Sequence, residues 1–250
     1  DGTNPTNNSN ALAIWKDGSN LDAAEYLGTN GNDELSATAP AYNTWNLIVW
    51  VINANGSREM YINGTSVASL TLTRNAPTKM IRTANYIGQR AGLDRGFDGQ
   101  IKSFNIWQRA LSSEEITYLY NQGRQYSIYQ ALVLNPSNNP KYSIHFEAGK
   151  TNYSLLHNMS INLYGNPTVD ANGLTLDRSL SQYANLGKTN IGDTVTFAIW
   201  CNVHSVGNSH RLFDFGNGQS NENILLAASE GTNNKIIATG RVGTSEVFRV

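Results

Sequence analysis

The sequence has no excess of either charge. Its 250 residues include 18 Lys and Arg against 19 Asp and Glu, so the formal net charge is -1 and only 15% of residues are charged. Proteins that bind nucleic acid use a surplus of Lys and Arg to neutralise phosphates. Proteins held at membrane surfaces by charge use polybasic clusters. The charge balance therefore argues against both nucleic acid and a membrane surface as partners.

Long hydrophobic runs and paired cysteines are absent as well. The longest uninterrupted apolar run, residues 47–52, has six residues, whereas about 20 are needed to span a bilayer. No membrane insertion is therefore expected. Cys201 is the only cysteine, which excludes a disulfide within the chain. A chain of this length buries roughly 70–75% of its extended-chain surface, so a core can form without disulfides.

Turn-forming residues are abundant instead. The chain contains 33 Asn and 22 Gly, and both residue types supply turn conformations with positive φ, which favours many short strands joined by turns. Asn55-Gly56 and Asn63-Gly64 separate three β-rich runs between residues 47 and 72, and this pattern predicts hairpins. Both faces of residues 47–52 are apolar, so we expect a strand that is covered on both sides.

One helix is predicted over residues 113–122. Ser112 is a favourable N-cap, and Glu115 three residues later completes a capping box. Gly123 is expected to end the helix. One apolar stripe, which we expect to pack on a sheet, is formed by Ile116, Leu119 and Tyr120.

The two ends of the sequence resemble each other at a fixed offset of 213 residues. The matching pairs include Asn4/Asn217, Asn8/Asn221, Asn10/Asn223 and Leu12/Leu225. This register predicts a tandem repeat with a period near 200 residues. The chain would then begin in the middle of one copy and stop in the middle of the next, with a proline-containing linker at residues 126–140.

Several motifs resemble laminin G-like domains of the concanavalin A-like lectin/glucanase superfamily. The most specific lie in residues 86–123: Tyr86-Ile-Gly-Gln, Gly96-Phe-Asp-Gly-Gln-Ile and Phe104-Asn-Ile-Trp-Gln-Arg-Ala-Leu-Ser112. Weaker matches downstream of the linker are Leu163-Tyr-Gly-Asn166, Gly173-Leu-Thr-Leu-Asp177, Tyr183-Ala-Asn-Leu186 and Phe197-Ala-Ile-Trp200. The resemblance implies an all-β jelly-roll sandwich of two antiparallel sheets with one short helix.

The same resemblance implies how the chain is divided. Residues 1–125 would be the C-terminal part of a first laminin G-like domain, and residues 141–250 the N-terminal part of a second. Each part would then need the complementary half of a domain to complete its sandwich. Domains of this kind usually have a binding role without catalysis.

No catalytic constellation is evident. Glucanases of the superfamily place a nucleophile and an acid on one strand face, but no Glu here has an Asp two residues later, and no carboxylates occur at i, i+2. Cys201 and His204, three residues apart on a predicted strand, would point to opposite faces. The four histidines lack metal-ligand spacing. The protein is therefore predicted not to be an enzyme.

Two Asn-rich loops are the candidate functional features. Residues 1–10 and 214–223 stand at equivalent places of the predicted repeat. Amide groups suit sugar hydroxyls, because they donate and accept hydrogen bonds at once, while oxygen-rich loops also suit calcium. A solvated turn-rich loop is the alternative. The ligand-binding candidates are Asn8, Asn10, Asn221 and Asn223, and the calcium candidates are Asp214 and Asn217.

Trp15 is a further candidate for ligand binding. It precedes a turn at Lys16-Asp17-Gly18, and an exposed aromatic ring can stack on a sugar face; packing in the core is the alternative. For Asp98, next to Phe97 and Gly99, the alternatives are a structural Asx-turn and calcium binding.

These observations lead to two functional hypotheses. The first is a non-catalytic surface recognition or adhesion module that binds carbohydrate, with a glycan or surface glycoprotein and neighbouring repeats as partners. The second is a structural module of a large surface assembly, such as a virion or cell-surface coat protein. Both imply an extracellular, cell-surface or virion-surface location, which five Asn-x-Ser/Thr sequons permit.

Overall fold

The fold is known from a computed structural model of the 250-residue chain. It describes residues 10–17, 20–27, 32–37, 40–71, 79–89, 96–123, 139–150, 152–156, 159–192, 194–205, 210–217, 224–227, 237–242 and 245–249. Side chains are described between residues 40 and 217. Within these ranges, no helix is both long enough and apolar enough to cross a membrane.

The described residues form mainly strands, with one α-helix. The first elements are β1 (Asn10–Asp17), β2 (Asn20–Leu27), β3 (Asn32–Ala37), β4 (Trp45–Ile52), β5 (Arg58–Ile62), β6 (Thr65–Leu70), β7 (Met80–Arg82), β8 (Ala84–Ile87), β9 (Gly99–Trp107) and α1 (Ser113–Gln122). The later elements are β10 (Tyr142–His145), β11 (Ser154–Leu156), β12 (Asn162–Tyr164), β13 (Thr168–Asp170), β14 (Gly173–Leu176), β15 (Tyr183–Asn185), β16 (Thr189–Ile191), β17 (Val195–Val203), β18 (Arg211–Gly216), β19 (Ile224–Ala227), β20 (Ile237–Val242) and β21 (Ser245–Arg249).

Two large sheets face each other. Sheet A has the strand order β12-β15-β8-β18-β19-β20-β1-β2-β3, with β21 beside β20. Sheet B has the order β11-β10-β9-β17-β4-β5-β6, and β14 also pairs with β9. A short third sheet joins β16 to β7. The pairing is antiparallel except where β1 meets β19. This arrangement confirms the predicted all-β, concanavalin A-like sandwich.

The paired centre of the sandwich is built from two separate stretches of the chain. We call residues 40–123 the first segment and residues 139–217 the second segment. In sheet B, β17 of the second segment lies between β9 and β4 of the first. In sheet A, β8 of the first segment lies between β15 and β18 of the second. The predicted division at residues 126–140 stays a prediction, but the stretches on either side of it complete one sandwich together.

The main core lies between the sheets. Phe197 and Phe104 of sheet B meet Phe213 of sheet A, with ring centroids 5.0 Å apart in each contact with Phe213. Strand β17 directs its alternate residues into this core, which contains Val195, Phe197, Ile199, Cys201 and Val203.

A second apolar cluster lies under the helix, on the outer face of sheet B. Leu47, Val49 and Val51 of β4 pack there, while the alternate residues of β4 face the main core. Strand β4 is therefore covered on both sides, as its two apolar faces predict. From the helix, the cluster receives Ile116 and Leu119.

The helix has the predicted bounds and the predicted cap. The Ser112 hydroxyl accepts a hydrogen bond from the Glu115 amide, and the Glu115 carboxylate accepts one from the Ser112 amide. Gly123 ends the helix at φ 73°. Tyr120, which the apolar stripe places with the packed residues, is 39% exposed but stacks on Trp200 at 5.9 Å.

Tandem copies are not shown by the fold. The repeat predicts that β1 and β19 occupy equivalent sheet positions. Both strands belong to sheet A, but β19 pairs with β18 whereas β1 pairs with β20 and β2. Each strand does begin a three-stranded antiparallel meander, β1-β2-β3 and β19-β20-β21. The repeat therefore stays a prediction.

Candidate functional site

Three tyrosines lie together on the outer face of sheet A, and we call Tyr86, Tyr164 and Tyr183 the tyrosine platform. They come from the adjacent strands β8, β12 and β15. Ile87 and Ala184, which follow Tyr86 and Tyr183 in sequence, are buried in the core between the sheets. Because side chains alternate along a strand, the tyrosines are directed to the opposite face.

The rings of the platform contact one another in a fixed order. Tyr164 stacks on Tyr183 with centroids 4.8 Å apart and planes inclined by only 7°. Tyr86 meets Tyr183 edge-on at 5.4 Å and 82°. Tyr164 lies on β12, the last strand at this side of the sheet, and is 44% exposed. The ring face of Tyr164 that is turned away from Tyr183 is therefore at the sheet edge, where a ligand can reach it.

A polar row runs beside the stacked rings. Asn162 lies opposite Asn185, Asn185 opposite Tyr86, and Tyr86 opposite Asp214. Four neighbouring strands therefore present amide, phenol and carboxylate groups along one line of the sheet. Asn162 is exposed and Asn185 is half-buried, so amide groups stand next to an accessible aromatic surface.

A turn holds Tyr164 in place. Gly165 and Asn166 follow it with φ of 74° and 54°. The Gln182 side-chain amide donates to both of their carbonyls, at 3.0 and 3.2 Å, and Gln182 directly precedes Tyr183. A Cβ at position 165 would lie 2.8 Å from the Leu180 carbonyl oxygen, so glycine is required for this close approach.

The far end of the polar row is buried. Asp214 has no exposed surface, and its Oδ2 lies 3.9 Å from Nε of Arg211. Burial and, after it, the negative charge of Asp214 raise the pKa of Tyr86. Burial and the neighbouring tyrosines raise the pKa of Tyr183. Both phenols consequently stay protonated well above neutral pH and can donate and accept hydrogen bonds.

The structure places two of the predicted ligand-binding residues on β1. Trp15 pairs with Asp22, and Asn10, the first residue of the strand, pairs with Leu27. Strand β1 belongs to the same sheet as the platform but lies three or four strands from β8, because it pairs with both β19 and β20. This is about 14–19 Å at ordinary strand spacing. The side chains of these two residues, and Asn8, Asn221 and Asn223 as a whole, lie outside the described residues.

The two calcium candidates do not form a suitable donor set. Asp214 lies within β18, not in a loop, and is buried beside a guanidinium. The Asn217 amide oxygen already accepts hydrogen bonds from the amide and hydroxyl of Thr83, at 2.9 and 3.1 Å. Calcium prefers six to eight oxygen ligands, and the described residues contain no cluster of three His, Cys, Asp or Glu side chains. The described residues around Asp214 and Asn217 therefore do not supply the ligand set that calcium prefers.

Asp98 takes part in a structural contact. Its carboxylate accepts a hydrogen bond from the Ser205 hydroxyl, and its carbonyl accepts one from the His204 amide, which is 3.1 Å away. These contacts join the start of β9 to the end of β17. They match the structural alternative for Asp98, although the partners follow the neighbouring strand of the same sheet and do not lie in the turn of Asp98 itself.

The tyrosine platform was not predicted from the sequence, although a local signal exists. In Tyr183-Ala-Asn-Leu186, the apolar residues alternate with an aromatic and an amide, which is typical of a strand with one exposed face. Tyr164 and Tyr86 stand in similar short runs. Tyr164 and Tyr183 are opposite each other and only 19 positions apart in sequence. Tyr86 joins them through a strand pair between residues 97 to 99 positions apart, which no local pattern specifies.

Comparison with known proteins agrees with this architecture. A search of curated proteins and a search of solved structures found no significant match. A family model gives a match: residues 3–117 fit the laminin G group Laminin_G_3, described as the concanavalin A-like lectin/glucanases superfamily. This part of the chain is therefore similar to laminin G-like domains, and its two antiparallel sheets have the β-sandwich architecture of the concanavalin A-like superfamily.

Proposed function

We propose that this protein is a non-catalytic carbohydrate-binding module that acts in recognition or adhesion at a cell or virion surface. The observation that carries the proposal is the tyrosine platform, an exposed aromatic surface beside a row of amides on an antiparallel sheet. The similarity of residues 3–117 to a superfamily of lectins and glucanases supports the same class of ligand.

The platform has the two kinds of group that a sugar needs. The apolar face of a pyranose ring stacks on an aromatic ring, and the exposed side of Tyr164 offers such a ring. Its position is fixed by stacking on Tyr183, so little side-chain entropy is lost when a ligand binds. The Asn162 amide and the tyrosine hydroxyls then offer donors and acceptors to the sugar hydroxyls. Asn185 offers its NH2 group, because its side-chain oxygen already accepts a hydrogen bond from the Gly187 amide at 2.9 Å.

Three described carboxylates, those of Glu115, Glu59 and Asp177, have structural roles, which supports a role without catalysis. Glu115 is held by both guanidinium nitrogens of Arg109, at 2.6 and 2.8 Å. Glu59 accepts a hydrogen bond from the Tyr61 hydroxyl, and Asp177 accepts from the amide and hydroxyl of Ser179. Each therefore has a structural partner, and none stands on the tyrosine platform.

The test is a glycan array followed by calorimetry with the best ligand, comparing the unaltered chain with Tyr164→Ala. We expect the substitution to weaken binding about tenfold, which corresponds to about 1.4 kcal/mol and to the energy of one aromatic contact. Tyr164→Phe keeps the ring and should bind nearly as well as the unaltered chain.

Tyr118→Ala is the matched control, because Tyr118 is similarly exposed, at 40%, but lies on α1 at the outer face of sheet B. Its affinity should stay within about twofold of the unaltered chain. Equal losses in Tyr164→Ala and Tyr118→Ala, or a ligand whose binding ignores Tyr164, would contradict binding at the platform.

A second candidate, a structural module of a large surface assembly, is favoured by the shared sheets. Because strands from both segments alternate in one sandwich, neighbouring repeats or copies have surfaces through which they can join. A chain that binds no sugar on a broad array, yet assembles into regular polymers, would favour this second function over the first.

A further inference from the structure

The two segments depend on each other for almost every central strand pair. The second segment supplies both neighbours of β8 and, through β10, β14 and β17, the strands that flank β9. The first segment supplies both neighbours of β17. Seven strand pairs join a strand of the second segment to a strand of the first: β10-β9, β14-β9, β15-β8, β16-β7, β17-β4, β17-β9 and β18-β8.

Neither segment keeps a covered core without the other. All nine residues of β17 are buried, and eight of them pair with β4 on one side and eight with β9 on the other. Removal of the second segment would leave both strands with an unpaired edge and an exposed apolar face. Unpaired edges of this kind are templates for pairing with another chain.

We propose that the two segments exchange between copies of this chain, so that the first segment of one copy completes its sandwich with the second segment of another. Every strand pair and core contact between the segments forms equally well within one chain or between two chains. The closed and exchanged forms therefore differ mainly in the path of residues 124–138 and in the entropy of association. The partner that this interface fits is a second copy of the chain.

The connection between the segments is long enough for exchange. Residues 124–138 are fifteen residues, which span up to about 50 Å when extended. A reciprocal exchange gives a closed dimer, whereas an exchange passed from copy to copy gives a chain of sandwiches. In either form the tyrosine platform is mixed, because Tyr86 comes from the first segment and Tyr164 and Tyr183 from the second. The proposal does not rest on carbohydrate binding.

Single-cysteine variants of the full-length chain test the exchange. One chain carries Tyr86→Cys and the other Asn185→Cys, both with Cys201→Ser. Positions 86 and 185 face each other across β8 and β15, at a separation that suits a disulfide. The two chains, distinguished by tags, are unfolded together, refolded at high concentration and oxidised. We expect a disulfide-linked heterodimer on a non-reducing gel.

The matched control pairs Asn162→Cys with Asn185→Cys. These positions also face each other across two strands, but both lie in the second segment. Exchange never brings these two thiols together from different chains, so this mixture should give no linked heterodimer. Equal cross-linking in both mixtures would show non-specific association through this face and would overturn the proposal.

Light scattering on the unaltered chain, refolded in the same way, gives a measure that no substitution affects. We expect a species with at least twice the 27.4 kDa mass of one chain. A single species of 27.4 kDa at every refolding concentration, together with no linked heterodimer between the chains altered at positions 86 and 185, would also overturn the proposal.

Discussion

Replacement of Thr196 by valine should destabilise the protein far more than its similar shape suggests. The Thr196 side chain has no exposed surface. Its hydroxyl donates to the Arg109 carbonyl at 2.8 Å and accepts from the Leu111 amide at 3.1 Å. These two bonds attach β17, in the second segment, to the stretch of the first segment that leads into α1.

Valine leaves both backbone groups without these bonds. A buried polar group that loses its partner costs about 1–3 kcal/mol, so the two together cost about 2–6 kcal/mol. The added methyl group recovers about 0.8 kcal/mol by burial. We expect Thr196→Val to lower the free energy of unfolding by about 3 kcal/mol, a large part of the 5–15 kcal/mol typical of folded domains.

Thr196→Ser is the control, because it keeps the hydroxyl and removes only a methyl group, at a cost of about 1 kcal/mol. Urea unfolding followed by tryptophan fluorescence measures the free energy of unfolding of both variants. The slope of this free energy against urea concentration should not change. If the two hydrogen bonds dominate, the valine variant has the lower free energy of unfolding. If burial of apolar surface alone dominates, the serine variant has the lower one. A smaller loss of unfolding free energy for Thr196→Val than for Thr196→Ser would refute the stabilising role of the two Thr196 hydrogen bonds.

Three further predictions concern single residues. Ser112→Ala should lower the free energy of unfolding by about 1 kcal/mol through loss of the helix cap, and Ser113→Ala, one residue later, should have a smaller effect in the same urea assay. Gly99→Ala should prevent stable folding, as judged by circular dichroism, because φ is 152° and a Cβ would lie 2.1 Å from the Asn202 carbonyl oxygen; native-like unfolding of this variant would contradict the close approach. Burial raises the pKa of the Cys201 thiol to about 12, so it should react with Ellman's reagent at pH 8 only after unfolding in urea; rapid reaction of the folded protein would show that the core is accessible.

The elements that sequence analysis predicted well are those with local causes. The bounds of α1 follow from a capping box and a terminal glycine within twelve residues of sequence. The hairpin turn at Asn63-Gly64 has φ of 53° and 80°, as positive-φ residues in a two-residue turn require. The two buried faces of β4 follow from an uninterrupted apolar run.

Local sequence patterns do not predict which strands pair with each other. The alternation in β17 predicts which face is buried, but it carries no information about whether β4 and β9 of the same chain lie beside it. That choice depends on side-chain packing between residues 89 to 157 positions apart. The repeat hypothesis places β17 in a different domain from β4 and β9, and the structure shows β17 paired with both.

The candidate site, like the strand pairing, depends on residues that are far apart in the sequence. Asn-rich loops attract attention in a sequence because their composition is unusual, and the tyrosines do not, because each stands alone in its own short strand. The Asn-rich composition of residues 214–223 predicts a loop at Asp214, although Phe213 and Phe215 alternate with it, a pattern that is typical of a half-buried strand. Only the register of three strands, β15, β8 and β18, shows that Tyr86 lies opposite Asp214 and Asn185.

Because the platform lies where the segments meet, ligand binding and completion of the sandwich depend on the same strand pairs. Tyr183 contacts Tyr164 within the second segment, but its contact with Tyr86 exists only when β15 has paired with β8. A ligand that binds the complete platform and not the separated segments stabilises the paired state in proportion to its affinity and concentration. A multivalent glycan would therefore favour complete sandwiches whether the segments come from one copy or from two, and recognition and assembly would reinforce each other through these strand pairs.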